Sequence, residues 1–276
     1  MRTPIRRVLV KGILVVLTGM ALSSCETVQT TQGGVVGVDR KQMMAVSSEQ
    51  IDQASSQTYA KLIAQERAKG TLDRDAAQVG RVRAIANRLI AQTPAFRPEA
   101  RNWQWEVNVI TSSEVNAWCM PGGKIAVYTG LIEKLRATDD ELAAVIGHEI
   151  AHALREHARE RASEQAVAGA GISILAAVAG LGDIGQKGME YAYMGLLGLP
   201  NSRRHETESD RIGVELAARA GYDPRAAITL WQKMGQASGG EPIKFLSTHP
   251  SREDRIADLT VYAQRVLPLY EQSRKK

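Results

Sequence analysis

Histidine and cysteine are scarce in this 276-residue chain, which has five of the first and two of the second. Cys25 closes an N-terminal leader, so Cys119 has no partner within the chain, and an intramolecular disulfide is excluded. Lying among Ala117, Trp118 and Met120, Cys119 reads instead as a small buried apolar residue. Long apolar runs are missing as well. The uncharged stretches from Gly12 to Ser24 and from 166 to 182 both fall short of the roughly 20 residues that cross a bilayer comfortably. Nor is one sign of charge in surplus. The formal charge of +5 includes Arg2, Arg6, Arg7 and Lys11 ahead of Cys25, and without them 31 cationic side chains face 30 anionic ones. That balance removes the electrostatic case for nucleic acid, which is bound through an excess of Lys and Arg. No internal repeat is evident.

The leader itself is informative. Four cationic residues precede a short apolar run that ends in Leu22-Ser23-Ser24-Cys25, the layout of a secretory signal peptide with a lipobox-like cleavage site. Residues 1 to 24 are therefore expected to be removed, with Cys25 acylated and inserted in a membrane leaflet. Glu26 stands where an Asp would argue for inner-membrane retention, so the expected address is the periplasmic face of the outer membrane. Residues 25 to 47, rich in Thr, Gln, Gly and Val without periodicity, read as a tether. Residues 48 to 276 read as one catalytic domain.

Within that domain, Gly147-His148-Glu149-Ile150-Ala151-His152 sets two imidazoles four residues apart, on one face of a helix. Thr138-Asp139-Asp140-Glu141 has the spacing of a capping box, which starts the helix near Asp139. Leu142, Val145, Ile146, Ile150 and Leu154 then give it one apolar face, and the charges from Arg155 to Arg161 read as its exposed end. Two imidazoles and one further donor suit a zinc ion with an open position, where Glu149 would take the proton from a metal-activated water. In Ser202-Arg203-Arg204-His205-Glu206-Thr207-Glu208-Ser209-Asp210, Glu206 and Asp210 are four apart on a second helix. Glu206 is the expected third ligand, with Glu208 the alternative. Asp210 is the expected acceptor for the second ring N–H of a liganding His.

The order of these motifs resembles the membrane-associated zinc endopeptidases of the HtpX and CAAX-prenyl endopeptidase group. The likeness runs over residues 105 to 258, through Asn116-Ala117-Trp118, Pro121-Gly122-Gly123-Lys124, Tyr128-Thr129-Gly130-Leu131, the two helix motifs and Thr248-His249-Pro250-Ser251. It is nearest the LoiP- and BepA-like periplasmic lipoproteins and the peptidase domain of the Oma-type enzymes. Ser209 departs from the Ala usual before the Asp. The resemblance implies a zincin-like α+β domain, mainly helical, with a small sheet bordering the active-site helix and one Zn2+ per chain. It also implies unfolded or misassembled envelope proteins as substrates, and the outer-membrane assembly machinery as a possible partner. The rival reading is a chaperone-like lipoprotein that holds unfolded chains in the same cleft, with proteolysis repressed or vestigial.

Lesser expectations complete the picture. Residues 48 to 70 and 73 to 93 read as helices, and the alternation of Trp103, Trp105, Val107 and Val109 reads as a strand. Lys124 to Thr129 reads as a second strand, whose Ile125 to Tyr128 stretch is expected to offer an open edge to extended substrate. The run 166 to 182 reads as an interfacial or mobile segment, with a lid or a buried helix as alternatives. His157 is expected to be solvated and His205 to lie on the surface. His249 is placed near the zinc, either stabilising an oxyanion or filling the open position, unless it merely fixes its own loop. Ser251 is the expected cap of the helix that follows.

Overall fold

The computed structural model describes residues 26–167, 198–237, 243–250 and 254–275. The leader, Cys25, Ser251 and all but the first two residues of the 166 to 182 run lie outside them. In chain order the described elements begin with a hairpin of β1 (Glu26–Val28) and β2 (Gln42–Met44), followed by α1 (Ser48–Ala68) and α2 (Ala76–Ile90). Next come β3 (Glu106–Ile110), β4 (Ala117–Met120), β5 (Lys124–Tyr128) and the short α3 (Thr129–Lys134). The remaining helices are α4 (Asp139–Leu154), α5 (His157–Val167), α6 (Arg203–Arg219), α7 (Ala226–Ala237), α8 (Lys244–Thr248) and α9 (Arg255–Ser273). The domain is α+β and dominated by helix, as its sequence implies.

Local chemistry sets the helix starts. Thr138 Oγ1 accepts from the Glu141 N–H while the Glu141 carboxylate accepts from the Thr138 N–H, so the capping box forms and α4 begins at Asp139. Ser47 with Gln50 does the same for α1, and Asp75 caps α2 by accepting from Ala77 and Gln78. Pro94 turns the chain into a short 3-10 segment after α2. The strand expected from Trp103 begins only at Glu106, because Trp103 closes a second 3-10 turn.

α4 differs from the one-sided helix suggested by its apolar spacing, since every residue from Glu141 to Leu154 is buried. α2, α6, α7 and β4 all pack against it. It is also shorter than expected. The helix stops at Leu154, Glu156 adopts a left-handed φ of +51°, and a new helix starts at His157. The charges beyond it are not an exposed end, for Arg155 is fully buried, and Glu156 and Glu160 are buried too.

What covers them is the segment expected as a tether. Gln42 Nε2 donates to the Arg155 carbonyl at 2.8 Å and to the Glu160 carboxylate, and Arg40 pairs with Glu160 and Glu208. Val36, Val38 and Met44 are buried alongside. Residues 26 to 46 thus form a packed strap, hidden from periodicity because much of its inward face is polar.

The sheet has the order β3-β5-β4, with β5 parallel to β3 and antiparallel to β4. Ile125 to Tyr128 therefore lies in the central strand, paired on both sides, and offers no free edge. The edge strands are β3, whose end is bridged by Leu72 and Asp73, and β4, whose outer edge borders a cavity. Gly122 and Gly123, both at positive φ, turn β4 into β5, and a Cβ on Gly123 would collide with the Trp105 ring at 2.6 Å.

α4 and α6 approach each other closely through a pair of glycines. A Cβ on Gly147 would lie 2.9 Å from the Gly213 carbonyl oxygen, and one on Gly213 would lie 2.8 Å from the His148 nitrogen. Both obstacles are backbone and cannot swing aside. Gly213→Ala is accordingly expected to destabilise the domain by about 1–3 kcal/mol through forced separation of the helices. The urea midpoint measures it, and an unchanged midpoint would show that the helices can part without strain.

Candidate metal centre

Where α4 crosses α6, four side chains converge. His148 and His152 sit one turn apart on α4 with their Nε2 atoms 3.0 Å from each other. Ser202 caps α6 by accepting from the His205 N–H, which puts Glu206 in the first turn. The Glu206 oxygens lie 3.5 Å from His148 Nε2 and 3.3 Å from His152 Nε2. His249, just after α8, brings its ring to 5.3 Å from that of His148 and 5.1 Å from that of His152. One donor atom from each of these four residues falls within 4.8 Å of the others, and all four residues are buried.

Two imidazoles and a carboxylate form a nitrogen and oxygen donor set of the kind that catalytic zinc uses. The hydrogen bonding fits as well. Glu206 is fully buried, yet neither of its oxygens accepts a hydrogen bond, and Glu149 Oε1 is equally without one. Such acceptors are costly to bury unless a cation or a proton meets them, and Arg255 answers Glu206 in part, at Oε2. Burial, with the neighbouring His148, holds His152 well below the ordinary histidine pKa, so its lone pair is free to ligate.

Asp210 and Arg255 surround this set. Asp210 Oδ1 stands 3.0 Å from His148 Nδ1 and accepts from Arg255 Nη2 at 2.7 Å. Burial alone would raise the Asp210 pKa, but Arg255 and His148 outweigh it and bring it to about 2. Arg255 also lies 3.1 Å from Glu206 Oε2, and its guanidinium rests over the Trp231 ring. Sequence reasoning missed Arg255. It enters from the start of α9, and a lone Arg there carries no local sign of burial.

Glu149 lies between the two histidines in the chain and faces the cleft. Burial first, and Glu206 second, push its pKa well above the ordinary carboxylate value, while the Cys119 N–H of the edge strand β4 donates to it and works the other way. His249 Nε2 is 3.4 Å from Glu149 Oε1. The adjoining cavity of about 340 Å3 is lined by Ala117 to Met120 of β4, with Leu62 and Tyr128 adding apolar wall and Arg161 and Lys244 charge. Cys119 is buried and free, the small apolar role expected of it.

Two histidines are not where the sequence suggested. His157 is fully buried, with Nδ1 2.9 Å from His152 Nδ1, and its ring stacks on His205 at 4.3 Å. His205 is buried against Glu160, with Nε2 and Oε2 3.2 Å apart. Polar residues carry no hydrophobic period, so their enclosure by the strap could not be read from spacing. His157, Glu160 and His205 are themselves close enough to surround an ion. However, Arg40 and Gln42 occupy the Glu160 carboxylate, and stacked rings do not aim their in-plane lone pairs at one point. Glu208, the alternative zinc ligand, is turned away from the set, where Arg155, Arg40 and His157 hold it.

Comparison with known proteins gives the same picture. The model of Peptidase family M48 matches residues 76–263. The mitochondrial metalloendopeptidase OMA1 of Schizosaccharomyces pombe is 42% identical over 156 residues, covering 55% of this chain and 45% of that protein. Human OMA1 is 33% identical over 180 residues, covering 59% of this chain and 32% of that one. The beta-barrel assembly-enhancing protease of Escherichia coli is 33% identical over 178 residues, covering 60% and 36%. The chain spans less than half the length of each of these three relatives.

The buried carboxylate of Glu160 also makes acid stability a test of the strap. Burial would raise its pKa, but hydrogen bonds from His205, Arg40 and Gln42 outweigh that and hold it below the ordinary 4.5. A depressed carboxylate contributes stability above its unfolded pKa and loses it as pH falls below that value. The metal-free protein is therefore expected to lose stability more steeply than Glu160→Gln as pH falls below 4.5, measured by urea unfolding. Parallel losses in the two proteins would remove Glu160 from the acid response.

Proposed function

As the chain belongs to peptidase family M48, we propose that it is a zinc-dependent endopeptidase acting on unfolded or misassembled proteins of the bacterial envelope. The observation that carries this reading is the convergence of His148, His152 and Glu206 beside the buried carboxylate of Glu149, with Glu206 paired to Arg255 and neither of its oxygens accepting a hydrogen bond. His148, His152 and Glu206 would hold the ion, and Asp210 orients His148. Zinc, when bound, polarises the scissile carbonyl and lowers the pKa of the attacking water. Glu149 accepts the proton from that water and returns it to the departing amine, a role suited by a raised carboxylate pKa. Extended substrate lies along β4, whose outer edge borders the cavity and whose Cys119 N–H already faces Glu149.

His249 fits a resting ligand better than an oxyanion donor. Its Nδ1 is within 3.2 Å of the Phe245 carbonyl and 3.0 Å of Thr248 Oγ1, so the ring proton belongs there. Nε2 then points inward as a lone pair, and burial keeps the ring neutral. A bare lone pair can fill a metal's open position but cannot donate to an oxyanion.

Residues 1 to 24 as a cleaved signal, Cys25 as a lipid anchor in the outer membrane and contact with the assembly machinery belong to the same reading. They rest on the leader and on the likeness to the beta-barrel assembly-enhancing protease of Escherichia coli.

Metal content and cleavage of unfolded casein test the whole. The full chain is expected to carry one zinc and to cleave casein. Glu149→Gln is expected to keep the zinc and lose cleavage by at least about a hundredfold, in line with the contribution of a positioned general base. Zinc without cleavage by either protein would favour the holding function, and absence of zinc would overturn the site. His249→Ala is expected to raise turnover, whereas a fall would restore the oxyanion role.

A further inference from the structure

The two zinc-site histidines are held differently on the far side of the ring. His148 Nδ1 meets a carboxylate, that of Asp210. His152 Nδ1 meets another imidazole, 2.9 Å away in His157 Nδ1. This pair lies outside the set of converging ligand atoms, where no ion would stand between the two nitrogens, so one donates a proton and the other accepts it.

The rest of the chain of contacts decides which. His157 Nε2 lies 3.2 Å from Glu208 Oε2. Glu208 is in turn gripped by Arg155, whose Nε and Nη2 reach the same oxygen at 2.9 and 2.8 Å, and by Arg40 from the strap. A carboxylate paired with two guanidinium groups offers only lone pairs, so the single proton of a neutral His157 sits on Nε2 and points at Glu208. His157 Nδ1 is then a bare acceptor. His152 must hold its own proton on Nδ1 and present the Nε2 lone pair to His148 and Glu206. Stacking on His205 and the nearby Ser209 hydroxyl, 3.4 Å from Nδ1, fix the His157 ring in its plane.

We propose that His157 is a positioning residue for catalysis, a neutral imidazole relay that, anchored by Glu208, sets the tautomer and orientation of the zinc ligand His152. This rests on the zinc endopeptidase reading. The relay also puts the Glu208 charge one ring farther from the metal than the Asp210 charge, so the two ligands receive unequal electrostatic support. His157 touches no substrate. Its effect should appear in metal binding and turnover, and not in substrate affinity.

The test begins with the metal-free full chain. Nitrogen-15 NMR of the histidine rings is expected to find the His152 proton on Nδ1, whereas an unanchored imidazole carries it mainly on Nε2. A His152 proton on Nε2 would overturn the proposal whatever the metal does. His157→Leu removes the acceptor and is expected to weaken zinc binding, measured by chelator competition, about 10–100-fold. In the same variant kcat is expected to fall with KM unchanged. His157→Asn returns an oxygen near the Nδ1 position and is expected to bring affinity to within a few-fold of the parent.

Equal zinc affinity in the Leu variant and the parent would overturn the relay, as would an Asn variant no better than Leu. Should His157→Leu fail to fold, the tautomer and the Asn variant still decide. A parent that binds no zinc would sink the endopeptidase reading and the catalytic role with it, while the tautomer would still report on the hydrogen-bond chain alone.

Discussion

The near contact of Gly147 with Gly213 is the constraint on which the active centre depends. Zinc ligands must converge to about 2 Å from a common point, and here the candidate ligands His148, His152 and Glu206 come from two helices well separated in the chain. Side chains as short as His and Glu reach across only if the helix backbones nearly touch. With no Cβ at either glycine, α6 settles against α4 one residue before His148, and Glu206 and Asp210 fall opposite the histidine pair. The alanines at 143, 144, 151 and 153 serve the same end by letting neighbours close around the buried helix.

Close approach brings many charges into the interior, and their arrangement follows from the cost of leaving any alone. Taking an ion out of water costs several kcal/mol unless partners surround it. Arg255 answers Glu206 and Asp210 on one side of the ligand set, and Arg155 with Arg40 answers Glu208 on the other. Such pairs add little net stability compared with apolar packing. What they supply is direction, because a carboxylate held by Arg fixes which ring nitrogen carries the proton. The strap of residues 26 to 46 belongs to this arrangement through Arg40 and Gln42, although the family match begins only at residue 76.

The parts of the structure legible in the sequence are those set by local rules. The capping box of α4 depends on residues three apart, and the facing of His148 with His152 and of Glu206 with Asp210 on residues four apart. Tertiary facts were harder. β5 looked like an edge because strand periodicity gives no information on which strand pairs with which. His157 and His205 looked solvated because hydrophobic spacing is silent about polar residues that other polar residues enclose. Arg155 and Glu160 misled in the same way. A run of charges usually marks a surface, and only the strap folding back from residues 26 to 46 makes this one an interior.

His249 ties the centre to the substrate side of the molecule. Its ring stacks on Phe245 at 4.2 Å with an interplanar angle of 13°, and Phe245 is completely buried. The His249 N–H donates to the Phe245 carbonyl, so the histidine is fixed to α8 and has little freedom of its own. α8 is in turn joined to the segment entering β4, since the Phe245 N–H donates to the Val115 carbonyl. The His249 ring, α8 and the segment entering β4 are thus linked by direct contacts. β4 and His249, which both line the cavity, are therefore borne by one connected piece of backbone.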